Sequence, residues 1–129
     1  MNHLPILVVL LTVLLLFVVT MLTGRARRKY DIKAPATSGH PMYERAYRIQ
    51  MNTVEYSVIF LPALWLAAEY GNAPAAGILG LVWLVGRIWY VPAYLHEPAS
   101  REFPFLLALL ALVLMILLAI YGVVRAFGA

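Results

Sequence analysis

Leu4 to Leu22 is a nearly unbroken apolar run of 19 residues. That length crosses a hydrocarbon layer of about 30 Å as a helix. The run closes on Arg25-Ala26-Arg27-Arg28-Lys29, a stop-transfer pattern rather than the small-residue cleavage motif of a leader. Inside a bilayer the backbone N–H and C=O groups find no water, so a segment of this kind is committed to helix. Three further stretches follow the same rule. Met42 to Tyr70 reads as a second helix with an apolar body from Val54 to Ala68, Ala75 to Tyr94 as a third, and Arg101 to Arg125 as a fourth. In the third, Gly77, Gly80 and Gly86 are small residues that allow close helix contact.

The connections are equally legible. Residues 30–41 carry Pro, Gly and Ser without periodicity and read as a loop. Gly71-Asn72-Ala73-Pro74 reads as a tight turn in which Gly ends one helix, Asn caps the next and Pro fits its first turn. Leu95 to Ser100 is a short polar link, with Ser100 the expected N-cap of the last helix and Glu102 in its first turn. The expected fold is all-α, an integral membrane four-helix bundle. Residues 1–129 form one four-span domain, with helices over about 4–23, 42–70, 74–95 and 101–126.

Composition narrows the chemistry. The chain is 64% hydrophobic and only 12% charged, too little charge for a soluble domain of this length. Without cysteine there is no disulfide framework, no thiolate metal site and no thiol nucleophile of the protein's own. His3, His40 and His96 lie far apart, with no metal-ligand spacing, so no metal is expected. A Gly-rich phosphate loop and a nucleophilic Ser motif are both missing. The net charge of +4 is concentrated beside one hydrophobic segment, which suits membrane orientation and an anionic ligand, not a nucleic acid.

Those cations also orient the chain. Arg25, Arg27, Arg28, Lys29, Lys33, Arg45 and Arg48 fall in the first loop and the start of the second helix, and Arg101 in the last loop. Both loops are therefore expected to be cytoplasmic and both termini on the opposite side. The compact chain, with no retention signal, suggests a bacterial inner membrane, with the endoplasmic-reticulum membrane as the alternative.

One polar stretch stands out against this background. Glu44-Arg45-Ala46-Tyr47-Arg48-Ile49-Gln50-Met51-Asn52-Thr53-Val54-Glu55-Tyr56 opens the second helix, and Arg45, Arg48, Asn52 and Glu55 fall within an arc of about 80°. The third helix brings Arg87, Tyr90 and Tyr94 within about 60° at the same membrane level. Arg101 and the pair Arg27 and Arg28 complete the set. Charges in hydrocarbon cost about 2.5–3.5 kcal/mol each on insertion scales, so these groups face protein or water. Two readings follow: ion pairs that lock helices together, or a polar ligand site at one membrane face. Guanidiniums grip carboxylates in bidentate fashion. Asn52 and Gln50 can read a peptide bond. Glu55 either accepts from a ligand ammonium or pairs with Arg87 inside the bundle. The tyrosines donate hydroxyl hydrogen bonds or serve as plain interfacial anchors.

The residues resemble the MAPEG family, the membrane-associated proteins of eicosanoid and glutathione metabolism, and within it the microsomal glutathione transferase and leukotriene-conjugating branch. Arg48 to Tyr56 keeps the family's R-x-Q-x-N-x-x-E-Y core. Gly86-Arg87-Ile88-Trp89-Tyr90, Tyr94 and Arg101 follow at the family's spacing, and Arg27 and Arg28 stand at its position after the first helix. His96-Glu97-Pro98, just before Arg101, departs from the pattern.

The resemblance implies a homotrimer that binds glutathione between neighbouring subunits. Arg48, Asn52, Glu55, Tyr56, Tyr90 and Tyr94 would hold it from one subunit, with Gln50 and Arg27 approaching from the next. Arg101 would activate the thiol and Arg28 would lie near the acceptor, while Arg45 and Arg87 would support the architecture. Glutathione is thus the implied co-substrate, with a lipophilic electrophile or lipid hydroperoxide as its partner. The physics is compatible: a free thiol has a pKa near 8.5, and a guanidinium against the sulfur favours the reactive thiolate. A glutathione-dependent isomerase, a non-catalytic lipid-binding scaffold and a purely structural bundle are the alternatives.

Overall fold

The computed structural model describes residues 3–128. Four helices account for most of them: α1 (Leu4–Lys29), α2 (Pro41–Leu66), α3 (Ala73–His96) and α4 (Glu102–Gly128). With the turns adjoining them, all four are long and apolar enough to cross a membrane.

The boundaries differ from the sequence expectation where a local signal was overruled. Helix α1 does not stop near residue 23 but runs on through the basic segment to Lys29. Ala, Arg and Lys are good helix formers, and Arg27, Arg28 and Lys29 in the last turn complement the helix dipole. Helix α2 begins at Pro41, one residue earlier than expected, because His40 caps it: Met42 N donates to His40 Nδ1 at 3.1 Å. At its far end α2 widens into a π-turn, Ala67–Gly71, closed by Asn72 N donating to Ala67 O at 2.9 Å. Asn72 then caps α3 as expected, its Oδ1 accepting from Ala75 N at 2.9 Å. Ser100 does not cap α4. A 3₁₀ turn, Pro98–Arg101, precedes that helix, and the Ser100 hydroxyl donates back to Ala93 O and Glu97 O at 2.9 and 2.7 Å.

Helices α1 and α4 each pack against both α2 and α3. At the centre Phe60 of α2 stacks on Trp83 of α3, with ring centroids 3.8 Å apart and planes 7° from parallel. Ile49, Leu64, Leu84 and Met115 close the layers above and below. Two glycines permit close approach of a neighbouring backbone. A Cβ on Gly86 would stand 3.0 Å from Ala108 Cβ and from Pro104 O, and one on Gly122 would stand 2.5 Å from the Tyr70 carbonyl carbon. Gly86 brings α4 against α3 beside Arg87. Gly122 admits the π-turn.

Two buried threonines are satisfied within their own helix, while the Ser57 hydroxyl has no partner among the described residues. Thr12 donates to Val8 O at 2.8 Å and Thr23 to Val19 O at 3.0 Å. Thr23 also donates to Ala46 O at 3.1 Å, which ties α1 to α2. The outer surface is apolar, with Phe17, Val58, Leu110 and Leu117 exposed among many others, as a face toward lipid or another subunit requires.

Candidate functional site

The end of the bundle that carries the residue 30–40 loop and the α3–α4 link gathers the polar residues. Antiparallel connectivity brings the C-terminal ends of α1 and α3 and the N-terminal ends of α2 and α4 to that level. Arg45 fastens it, with Nη1 donating to Leu95 O at 2.9 Å.

A cavity of about 300 Å³ opens here between α2, α3 and α4, lined by Arg48, Asn52, Tyr90, Tyr94, Arg101, Glu102 and Phe105. Five of these are residues that the sequence pattern singled out, drawn from two helices and the turn that leads into α4. Arg101 is held at the wall in two ways. Its Nη1 donates to Pro98 O at 2.8 Å, and its guanidinium lies over the Tyr94 ring at 4.9 Å. The His96-Glu97-Pro98 segment thus has a definite part: Glu97 ends α3, and Pro98 supplies the carbonyl that orients Arg101. Tyr90 is buried, and its ring packs obliquely on Phe105 at 6.3 Å and on Tyr94 at 5.6 Å.

Behind this wall lies Arg87, only 1% exposed. The expected Arg87–Glu55 ion pair is not formed. Arg87 donates instead to Asn52 Oδ1 at 2.9 Å and to Thr53 Oγ1 at 2.7 Å. Its charge is further met by the π faces of Tyr90 at 4.2 Å and Tyr56 at 5.9 Å. Its Nε has no partner among the described residues. Glu55 is exposed on the outer side of α2 and lines a separate cavity of about 240 Å³ with Tyr56 and Ile59. The reason is helical geometry: Asn52 and Glu55 are about 60° apart around α2, and the packing turns Asn52 and Thr53 toward α3. Tyr56 lines the second cavity and its ring meets Phe105, in the wall of the first, edge-on at 5.5 Å.

The remaining three predicted residues lie elsewhere. Gln50 faces α1, its Nε2 donating to Thr20 Oγ1 at 3.3 Å. Arg27 is occupied by the loop, donating to Ile32 O at 3.3 Å, to Ala36 O at 2.9 Å and to the Tyr43 hydroxyl. Arg28 stands exposed at the end of α1. Gln50 and Arg27 are the two that the family resemblance assigns to a neighbouring subunit. Sequence reasoning missed Glu102 and Phe105 as lining residues. Glu102 follows Arg101 directly, and only its place in the first turn of α4 could have signalled it.

The fold and this cavity define a four-span membrane protein with a polar, arginine-lined recess at one face. The comparisons place it further: a family model described as the MAPEG family matches residues 5–121, and the chain belongs to that family. It is 40% identical over 119 residues to an uncharacterised protein of Synechocystis sp., covering 92% of this chain and 87% of that protein. It is 40% identical over 104 residues to microsomal glutathione S-transferase 2 of Homo sapiens, covering 81% and 71%. Leukotriene C4 synthase of Cavia porcellus is 38% identical over 120 residues, covering 93% and 80%.

Proposed function

We propose that this protein is a membrane-bound glutathione transferase that holds glutathione in the Arg48–Arg101 cavity and activates its thiol for attack on lipophilic electrophiles. The observation that carries this reading is the convergence of Arg48, Asn52, Tyr90, Tyr94 and Arg101 on one cavity of about 300 Å³, in a chain similar to a glutathione S-transferase along most of its length. Arg48 offers a bidentate grip for a glutathione carboxylate. Asn52 offers amide donors to a peptide carbonyl, and Arg101 a cation for the thiolate.

In the reaction the thiol gives its proton to solvent and the thiolate forms a sulfur–carbon bond. The displaced electron pair departs with the leaving group, or rests on an opened ring oxygen that is then protonated. In this reading a lipid hydroperoxide is a second acceptor: two glutathiones reduce it to the alcohol and water and end as the disulfide. A long apolar tail of the acceptor would run toward the opposite face along a groove of about 590 Å³ between α2 and α4, which meets the Glu55–Tyr56 cavity at Ile59, while its reactive carbon stays at the Arg101 end.

The working unit in this reading is a homotrimer in a bacterial inner membrane, with the residue 30–40 loop and the α3–α4 link on the cytoplasmic side. Glu55 supports the oligomer. A carboxylate exposed on a spanning helix is costly against lipid, so a neighbouring subunit or its bound ligand is the natural partner. Gln50 and Arg27 would then approach the ligand from that neighbour, and Arg28 the acceptor.

The test is the ultraviolet thiolate band of glutathione added to the detergent-solubilised protein, with Arg101→Ala beside it. A band at neutral pH that vanishes in the variant is expected. Glutathione that binds without any thiolate band would overturn the transferase reading and favour a scaffold.

A further inference from the structure

Helix α1 continues past the apolar layer through Arg25-Ala26-Arg27-Arg28-Lys29. Of these cations Arg27 is held by the loop and Tyr43. Arg25 and Lys29, four residues apart and so on one helix face, are exposed. Neither is recorded in a hydrogen bond among the described residues; Lys29 only lies over the Tyr30 ring at 5.4 Å.

Beneath them is a recess of about 170 Å³ where α1 meets the start of α2 and the end of α3. Arg25 and Lys29 form its polar rim, and Leu22, Met42, Ala46 and Leu95 its apolar wall. It shares no lining residue with the Arg48–Arg101 cavity. Its wall is braced: Arg45 Nη1 donates to Leu95 O at 2.9 Å, and Thr23 Oγ1 to Ala46 O at 3.1 Å. No acid lines it. Glu44, at the start of α2, is engaged by Gly39 N at 3.1 Å, and Asp31 lies exposed in the loop.

Cations at a helix C-terminus complement the dipole and need no ligand, and long side chains reach water on their own. Neither effect calls for a recess with an apolar wall under two free cations. We propose that it binds an anionic phospholipid from the leaflet on this side of the membrane. The phosphodiester would lie between the Arg25 guanidinium and the Lys29 ammonium, with the glycerol and first acyl methylenes against Leu22 and Leu95. Arginine supplies two parallel donors to phosphate oxygens and lysine a point charge. A zwitterionic lipid brings its own ammonium and gains less from the same pair. A soluble phosphate ester has the charge but no chain for the wall.

The experiment is native mass spectrometry of the full chain in detergent, titrated in separate runs with phosphatidylglycerol, phosphatidylcholine and glycerol 3-phosphate. Phosphatidylglycerol is expected to bind preferentially, and Arg25→Gln and Lys29→Gln each to weaken it about fivefold. Lys33→Gln, a loop cation outside the recess, serves as the control and leaves the affinity unchanged. Thermal unfolding without lipid confirms that each variant is folded, and either single variant that folds suffices. Equal binding of the two lipids would overturn the proposal. So would equal weakening by Lys33→Gln, which marks a diffuse electrostatic patch, or glycerol 3-phosphate binding as tightly as the lipid.

Discussion

Arg87 Nη1 donates to Asn52 Oδ1 at 2.9 Å, and this bond decides which half of the Asn52 amide is left for the cavity. With its oxygen engaged, Asn52 presents N–H donors to the cavity, which suits an acceptor such as the peptide carbonyl of the proposed ligand. Asn52→Asp keeps an acceptor for Arg87 but replaces the donors with a second carboxylate oxygen. Glutathione affinity by calorimetry is expected to fall at least about tenfold, with the fold retained. Unchanged affinity would show that these donors do not touch the ligand.

Arg27 clamps the loop through the Ile32 and Ala36 carbonyls and the Tyr43 hydroxyl. Arg27→Ala releases all of these bonds at once. Faster tryptic cleavage at Lys33 is the expected outcome, because local opening of a loop tracks the loss of its hydrogen bonds. An unaltered digestion rate would show that the loop is held by other contacts, such as the Tyr30–His40 stack at 3.8 Å.

The turn that carries Arg101 is held by the Ser100 hydroxyl, which donates to Ala93 O and Glu97 O. Ser100→Ala is expected to cost about 0.5–1.5 kcal/mol in stability. If Arg101 activates the thiol as proposed, the substitution lowers kcat more than it raises KM for glutathione, because it loosens that cation and leaves Arg48 and Asn52 in place. Steady-state kinetics separates the two effects, and an equal change in both would contradict it.

Glu102 shares the cavity with Arg101. A carboxylate near the sulfur opposes formation of the thiolate, so Glu102→Gln is expected to lower the bound thiol pKa by about a few tenths of a unit. A pH titration of the thiolate absorbance reads this directly. A shift upward would mean that Glu102 instead holds the glutathione ammonium or positions Arg101.

Gly86 faces α4 closely: a Cβ there would stand 3.0 Å from Pro104 O. Gly86→Val must push α4 outward and displace Phe105 from the cavity wall. A loss of about 1–3 kcal/mol in unfolding free energy is expected, together with weaker glutathione binding. A variant as stable as the parent would show that the helices part without cost.

The spans and turns were legible in the chain because they depend on local properties. Apolar runs of sufficient length, Gly71 before Asn72, and the polar opening of α2 each carry their meaning within a few residues. Part of the cavity's lining was legible for the same reason: Arg48 and Asn52 share a helix face, as do Tyr90 and Tyr94, and topology brings both faces to one membrane level. What each cation touches was not. Whether Arg87 meets Asn52 or Glu55 turns on a rotation of about 60° in α2, and that rotation depends on how α2 packs on α3, where Phe60 stacks on Trp83. Arg27 found loop carbonyls because α1 extended to Lys29, and Ser100 bonded backward because a 3₁₀ turn displaced the start of α4. Helix formation follows from hydropathy and propensity along the chain. Partner choice follows from packing between helices, which only the tertiary structure decides.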